Sequence, residues 1–376
     1  MTENRYAFFA CALGVSFLIS VCLTEAARRL ALRWDFLDHP GERKMQVEPV
    51  PLMGGAAIFF TFYVVTLALL SAMYLTDRFG GGWLVRQIVA GFGEHATRKI
   101  AGVLVGGLLI FLLGILDDLK ALNPEIKLVG QILAAAVLVY SGMRIEVFVL
   151  SNVWISALVT ILWVVTLTNA MNMLDNMDGL AAGVSVIASF SFFLAVQDYD
   201  QYLVRMLLMT FAGAVAGFLY HNLNPAKVYM GDAGAMFCGY MLATVAIMGT
   251  FHIESTPSPI AVGAPLLALS VPLFDIVSVV YIRWREGESI MKGDKRHFSH
   301  RLVKLGMTPS QAVEFIFLVA AVTGLGGALL SQVGQRGTLI ILAQTAGVYM
   351  LIVLLMRAGR KPAQARPQPE DPDQDG

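Results

Sequence analysis

Long apolar segments recur along almost the whole chain. Each is about 20 residues long, the length that an α-helix needs to cross the hydrocarbon core of a bilayer. Of the 376 residues, 57% are hydrophobic and only 14% are charged, which is too apolar for an ordinary soluble domain. The sequence therefore predicts an all-α, polytopic integral membrane protein. Its formal net charge of zero gives no electrostatic case for a nucleic-acid partner.

Hydropathy predicts eleven transmembrane helices in a single domain, residues 1–357, without an internal repeat. The predicted spans are 6–27, 54–75, 100–116, 127–142, 152–171, 180–197, 203–221, 234–251, 260–281, 310–331 and 338–356. The first lacks a strongly basic lead and a convincing cleavage site, so we interpret it as a retained span. Residues 358–376 are rich in Pro, Gln and Asp and are predicted to form a disordered cytoplasmic tail.

Positive charges predict the orientation of these spans. With the N-terminus outside and the C-terminus inside, 19 Lys and Arg residues fall on the inner side and 8 on the outer side. This N-out/C-in layout predicts a multi-pass protein of the cell inner (cytoplasmic) membrane. The acidic clusters and the connections 31–53 and 282–309 then share the cytoplasmic face, so we expect the active site there. Cys11, Cys22 and Cys238 lie in apolar segments and are interpreted as small hydrophobic residues.

Two adjacent acids, Asp117 and Asp118, directly follow the third predicted span. Carboxylates at a helix C-terminus oppose the helix macrodipole, and adjacent carboxylates repel unless a cation or proton relieves them. Lys120 and Lys127 follow. The pattern favours a functional pair, and a solvated helix end with ordinary positive-inside lysines is the alternative.

A second acidic cluster, "NAMNMLDNMDGL", spaces Asn169, Asn172, Asp175 and Asp178 three residues apart. Neighbouring members share a helix face, and Gly179 predicts that the helix breaks near the last acid. Such a break lets the carboxylates surround an ion or a phosphate-bound metal. A helix cap followed by a turn is the alternative.

Further polar groups follow in "HNLNPAKVYMGDAGAMF", where Gly231 and Gly234 flank Asp232 and would permit close approach of a ligand. Asn222 begins the same segment, and Asp232 could equally be the N-cap of the next span. Asp275 lies inside the ninth predicted span, where an acid costs roughly 2.5–3.5 kcal/mol. It could line a cavity or pair with a cationic loop residue.

A basic segment, "KGDKRHFSHRLVKLGM", could bind phosphate. Headgroup anchoring and a zinc half-site formed by an H-x-x-H pair remain alternatives. Its candidate phosphate-binding residues are Lys295, Arg296, His297, His300 and Arg301.

Carboxylates on one membrane face suit Mg²⁺ or Mn²⁺, and basic groups suit phosphate oxygens. A site at the membrane edge suits a substrate with a polar head and a lipid tail. The residues therefore predict metal-assisted phosphoryl chemistry on a lipid phosphate.

Five segments between residues 38 and 301 resemble, in the same order, motifs of the polyprenyl-phosphate N-acetylhexosamine-1-phosphate transferases, glycosyltransferase family 4. They are "DHPGERK…PVPLMGG", "LDDLKALNPEIKL", "NAMNMLDNMDGLAAG", "NPAKVYMGDAG" and "DKRHFSHRL". The resemblance implies Mg²⁺-dependent transfer of a sugar-1-phosphate from a UDP-N-acetylhexosamine to polyprenyl phosphate, with release of UMP, at the start of cell-envelope glycan assembly. It also makes a homodimer plausible.

The resemblance also implies roles for individual residues. As catalytic residues it implies Asp117, Asp118, Lys127, Asp175 and Asp178. As substrate-binding residues it implies Lys44, Asn172, Asn222, Arg296, His297, His300 and Arg301. As metal ligands it implies Asp232 and Asp175. Asp117 would be the base in a one-step reaction, and a two-step route with an Asp nucleophile stays open.

Two positions depart from the family pattern. The segment from His297 to His300 lacks the middle histidine of the usual H-[LI]-H-H, and Gln46 stands where a histidine is frequent. A run of histidines, typical of phospho-N-acetylmuramoyl-pentapeptide transferases, is absent, which favours the undecaprenyl-phosphate GlcNAc-1-phosphate branch. Alternatives of other kinds are an intramembrane prenyltransferase, whose N-D-x-x-D-x-x-x-D spacing is not matched, and an ion-coupled transporter, whose acids would lie near the bilayer midplane.

Overall fold

A computed structural model describes residues 2–39, 48–78, 96–145, 152–196, 201–249, 262–288 and 296–358. Within these ranges the chain forms thirteen helices and one antiparallel pair of two-residue strands. The helices are α1 (Thr2–Arg33), α2 (Gly54–Arg78), α3 (Ala96–Lys120), α4 (Pro124–Tyr140), α5 (Val153–Leu174), α6 (Leu180–Ala195), α7 (Tyr202–Asn222), α8 (Gly231–Met248), α9 (Ala264–Ala268), α10 (Ser270–Glu286), α11 (Phe298–Lys304), α12 (Pro309–Leu329) and α13 (Gln335–Ala358). The strands are β1 (Leu37–Asp38) and β2 (Val50–Pro51).

Eight of these helices are long and apolar enough to cross a membrane: α1, α2, α3, α5, α7, α8, α12 and α13. The prediction of a polytopic helical membrane protein is therefore confirmed. The other three predicted spans, 127–142, 180–197 and 260–281, coincide with shorter helices. These are α4 with 17 residues, α6 with 16, and the pair α9 and α10. The predicted tail beyond residue 358 lies outside the described residues.

The centre of the bundle is formed by α7 and α8, whose residues are buried on nearly all sides. In the most hydrophobic stretch of each helix, 89% of the residues are buried in α7 and 72% in α8, against 6% in α13. Helices α1, α2 and α6 pack on α7, while α2, α3 and α5 pack on α8. A helix buried on nearly all sides belongs to a core, whereas most of the apolar surface of α13 is exposed. A site at the ends of α7 and α8 is therefore built on the most deeply buried helices of the bundle.

The ninth predicted span is interrupted, because α9 ends at Ala268 and α10 starts at Ser270. Pro272 has no N–H to donate to a carbonyl one turn earlier, so the continuous helical ladder stops here. Across the break the Tyr349 hydroxyl donates to Ser270 Oγ at 2.8 Å, and Ser270 Oγ donates to Thr323 Oγ1 at 2.9 Å. These bonds join α10 to α13 and α12.

The segment before α2 is non-helical where it is described. Tyr229 N donates to the Pro51 carbonyl at 2.8 Å, and the amides of Gly54 and Gly55 donate to the carbonyls of Tyr229 and Met230, each at 2.9 Å. The chain entering α2 is thus tied to the chain entering α8. Residues 40–47, with the predicted substrate-binding Lys44, lie outside the described residues.

Candidate active site

Asp232 is the centre of a polar network that joins four helices at one end of the bundle. Asn172, near the end of α5, donates Nδ2–H to Asp232 Oδ1 at 2.7 Å. Lys127, in the first turn of α4, places Nζ 3.4 Å from Asp232 Oδ2 and forms an ion pair with Asp117 of α3. The carboxyl groups of Asp117 and Asp232 also contact each other. Four residues that the sequence assigned to one site therefore meet.

Asp118 binds the first amides of α8. Its Oδ1 accepts from Asp232 N at 2.7 Å and its Oδ2 from Ala233 N at 3.1 Å. Two glycines make this close approach of α3 and α8 possible. Gly231, just before Asp232, has φ +70°, and a Cβ there would lie 2.7 Å from Asp118 Oδ2. A Cβ on Gly114 of α3 would lie 2.2 Å from Ala233 Cα. The helix is thus capped by a carboxylate from α3, and Asp232 is not its N-cap.

Asp175 follows the last residue of α5, and its backbone amide donates to Met171 O at 3.2 Å. Within the described part of the chain its carboxylate makes no hydrogen bond, so it does not act as a side-chain cap. Burial, followed by repulsion from Asp232, Asp118 and Asp178, raises the pKa of Asp175 to about 8. A cation beside this carboxylate would relieve both effects.

The oxygen donors of Asp175 and Asp232 fit a magnesium ion. Asp175 has no competing partner among the described residues, and the Asp232 side chain remains 37% exposed. No set of three or more His, Cys, Asp or Glu within those residues is arranged to hold a metal ion without other ligands. Mg²⁺ usually binds one or two carboxylates and completes its shell with water and substrate phosphate, so a two-carboxylate site is sufficient.

Asp178 and Asn222 hold the segment between α7 and α8. Asp178 Oδ2 accepts from Asn224 Nδ2 at 2.9 Å and from Ala226 N at 3.0 Å. Asn222 is 2% exposed; it accepts from Gly179 N at 3.0 Å and donates to the Val228 carbonyl at 2.8 Å. Both side chains are therefore engaged in fixing the loop that leads to Asp232.

The described part of the basic segment, from Arg296 onward, packs on the same end of the bundle. His297 Nδ1 lies 2.8 Å from Asp275 Oδ2, and Phe298 N donates to Asp275 Oδ1 at 2.6 Å. Ser299 Oγ then donates to Asn176 Oδ1 at 2.5 Å, which joins α11 to the second acidic cluster. Of the two interpretations of the intramembrane acid Asp275, the structure shows the pairing with a loop residue.

The remaining basic residues contact other parts of the chain. Arg296 forms ion pairs with Glu286 at 2.5 Å and Glu288 at 3.0 Å, and Arg301 donates to the Ser278 hydroxyl. The ring of His300 lies 6.3 Å from that of His297. Lys295 lies outside the described residues. Two arginines of the predicted phosphate cradle are therefore bound to groups of α10 and of the residues that directly follow it.

Tyr229 is a candidate that the sequence analysis missed. Tyr229 directly precedes Met230 and Gly231, and its half-buried side chain lies near acids of the site. Burial, with the nearby charges of Asp178, Asp38 and Asp175, raises the pKa of Tyr229. A neutral aromatic ring beside this site could pack against a planar substrate group. The signal in the sequence was an aromatic residue three positions before Asp232.

The family model of "Glycosyl transferase family 4" matches residues 100–250, which contain the Asp232 network. A decaprenyl-phosphate N-acetylglucosaminephosphotransferase of Mycobacterium tuberculosis is 31% identical over 368 residues, covering 90% of this chain and 87% of the relative. The chain belongs to glycosyl transferase family 4.

Other family 4 relatives show similar coverage. A probable undecaprenyl-phosphate N-acetylglucosaminyl 1-phosphate transferase of Bacillus subtilis is 29% identical over 88% of this chain and 87% of its own length. An undecaprenyl-phosphate alpha-N-acetylglucosaminyl 1-phosphate transferase of Yersinia pestis is 26% identical over 90% of this chain and 88% of its own length. The family resemblance drawn from the five motifs is confirmed, and the prenyltransferase and transporter alternatives fall away. These relatives' names also agree with the branch that the missing histidines favoured.

Proposed function

We propose that this family 4 protein transfers N-acetylglucosamine-1-phosphate from UDP-N-acetylglucosamine to a polyprenyl phosphate and releases UMP. The observation that carries the proposal is the network in which Asp117, Lys127 and Asn172, from three helices, meet Asp232 at the start of a fourth. Carboxylates beside a lysine at the end of a membrane bundle suit a metal-bound diphosphate and a lipid phosphate. The relatives' names supply the sugar and the lipid class.

The site belongs on the cytoplasmic face of the inner membrane, with all eleven predicted spans crossing and the N-terminus outside. The network residues lie at the C-terminal ends of α3 and α5 and at the N-terminal ends of α4 and α8. Helices that alternate in direction bring these ends to one side, and the excess of Lys and Arg assigns that side to the cytoplasm.

The transfer is a single displacement at phosphorus. An oxygen of the lipid phosphate forms a bond to the phosphorus that carries the sugar, and the bond from that phosphorus to the bridging oxygen breaks, so that the electron pair leaves with UMP. A phosphate monoester carries about −1.5 to −2 charges at pH 7, so its oxygen is already nucleophilic. Asp117 is 4% exposed and bound to Lys127, and it therefore orients the ammonium group toward an incoming phosphate.

Asp232 and Asp175 would hold Mg²⁺, or Mn²⁺, which supplies charge neutralisation to the diphosphate and its leaving group. Asn172 fixes one oxygen of Asp232, which leaves the carboxylate a defined orientation. Asp118 holds the start of α8 against α3 and so fixes Asp232 relative to Asp117, the partner of Lys127. Each of these residues contributes by placing charge where the phosphates bind.

The test uses purified protein, Mg²⁺, polyprenyl phosphate and a panel of UDP-sugars, with UMP release as the measurement. We expect release with UDP-N-acetylglucosamine, and its loss when a chelator removes divalent metal, with recovery on adding Mg²⁺. Release only with UDP-N-acetylmuramoyl-pentapeptide would support the other branch of the family. No release with any donor from folded protein would contradict the proposal.

A further inference from the structure

Asp275 is a buried acid within the bundle that the proposed reaction does not use. It lies on α10 and is 1% exposed, and both of its carboxylate oxygens contact the adjacent residues His297 and Phe298. Oδ2 faces His297 Nδ1 at 2.8 Å, and Oδ1 accepts from Phe298 N at 2.6 Å. Burying an ionisable group in a membrane protein is costly, which makes a functional role the first hypothesis.

The two contacts decide which nitrogen of His297 carries a proton. A carboxylate oxygen can only accept, so Nδ1 must be the donor whether the imidazole is neutral or charged. Within the described part of the chain, His297 has no other hydrogen-bonding partner. Nε2 is therefore the nitrogen that accepts in the neutral ring and donates in the charged ring.

The segment that carries His297 is fixed against the active site from the other side as well. Ser299 Oγ donates to Asn176 Oδ1 at 2.5 Å, and Asn176 is the residue after Asp175. His297 thus stands between an anchor on α10 and an anchor on the acidic cluster. Its ring orientation is set by the bundle and does not depend on the loop alone.

We propose that Asp275 is a positioning residue of the transferase, which holds His297 with Nδ1 protonated so that Nε2 meets the phosphates of the nucleotide sugar. This inference rests on the proposed function. Nε2 then contacts the donor substrate either as an acceptor or as a charged N–H donor. Asp275 itself touches no substrate.

The decisive variant is Asp275→Asn. It keeps the shape of the side chain and both hydrogen bonds, but it exchanges donor and acceptor in the bond to His297 Nδ1. Phe298 N requires an acceptor, so the amide oxygen faces Phe298 and the amide NH₂ faces His297 Nδ1. Nδ1 then becomes an acceptor, and His297 is held as a neutral ring with the proton on Nε2. We expect kcat for UMP release to fall at least about tenfold, with the KM for polyprenyl phosphate and the melting temperature near wild type.

A double-mutant cycle separates positioning from structure. In His297→Asn the side-chain amide can still donate to Asp275, but the Nε2 position is lost. If Asp275 acts through His297, adding Asp275→Asn to His297→Asn lowers kcat by less than about threefold. Glu314→Gln, on the exposed face of α12, is the matched acid-to-amide control and should behave as wild type.

The proposal fails if Asp275→Asn has wild-type kcat, or if the two substitutions lower kcat independently. If Asp275→Asn does not fold, ¹⁵N-histidine NMR of the intact protein, with His297 assigned by comparison with His297→Asn, still tests it. A neutral His297 ring with its proton on Nε2 would overturn the assignment. Absence of UMP release from the wild-type enzyme would instead overturn the proposed function.

Discussion

Asp118 and Asp175 are both acids at helix ends, yet their surroundings give them different roles. Asp118 accepts hydrogen bonds from two backbone amides of α8, which partly offset the cost of burying its carboxylate. Asp175 has no hydrogen-bonding partner in the described residues, and its pKa is raised to about 8 by burial and neighbouring acids. A group that the protein leaves unstabilised is the one that needs a ligand.

Replacing Asp175 or Asp232 by Asn should remove nearly all turnover while the protein still folds. Each substitution removes a charged oxygen donor from the predicted metal site, and we expect a fall in kcat of about 10²–10³. Because α5 and α8 are held by other contacts, the melting temperature should change little. UMP release and thermal unfolding measure the two effects. Glu314→Gln is the matched control, and full activity in either site variant would contradict the assignment.

Sequence spacing could identify these residues but could not separate their roles. Asp117, Lys127, Asn172 and Asp232 were expected at one site, and they meet there. The caps, by contrast, depend on backbone groups more than 100 positions away, such as the Asp232 amide that Asp118 binds. Neither hydrophobic periodicity nor a short sequence motif indicates which residues so far apart in the chain will pair. The cap formed by Asp118 could therefore not be predicted.

The start of α8 packs closely against Asp118 of α3. Gly231→Ala should destabilise the fold, because its φ of +70° is strained for alanine and the new Cβ would lie 2.7 Å from Asp118 Oδ2. Gly142→Ala is the matched control, since it also has positive φ (+91°) but nothing within 4 Å. We expect each to lose about 1–2 kcal/mol from backbone strain, with a further loss and lower activity only in Gly231→Ala. Chemical denaturation and UMP release test this, and equal behaviour of the two variants would refute the clash.

The break between α9 and α10 is held by side chains from two other helices. Tyr349→Phe removes the hydroxyl that donates to Ser270 and should cost about 1 kcal/mol of stability with little effect on kcat. Tyr140→Phe, at a ring that is 79% exposed, should leave stability unchanged. A Tyr349→Phe protein as stable as wild type would show that the break is held by packing alone. Pro272 is the sequence signal of this interruption. Hydropathy, which averages over many residues, predicted one continuous span instead.

At the scale of the whole molecule, alternation of apolar and charged segments was enough to locate a helix at every predicted span. Hydropathy is insensitive to helix length and to short breaks, which is why spans 127–142, 180–197 and 260–281 coincide with helices of 17 residues or fewer. The packing order was not predictable, because α7 and α8 are no more apolar than the exposed α13.

Orientation is testable on the whole chain with topology reporters. A fluorescent protein fused to the C-terminus should fluoresce, and alkaline phosphatase at the same point should be inactive, because the tail is predicted to be cytoplasmic. Phosphatase inserted near residue 199, between the sixth and seventh predicted spans, should be active. The reverse pattern would place the acidic site on the outer face and rule out a cytoplasmic nucleotide donor.

The cap on α8 has a consequence for how anions are captured. The free amides at the start of a helix are a common cradle for phosphate. Here two of them already hold Asp118, so an incoming phosphate finds that cradle occupied by a carboxylate of the protein. Phosphate recognition then depends on side chains, such as Lys127 and His297, and on a metal that the bound substrate helps to retain. Nucleotide and metal should therefore bind as a pair, each weak alone and tight together.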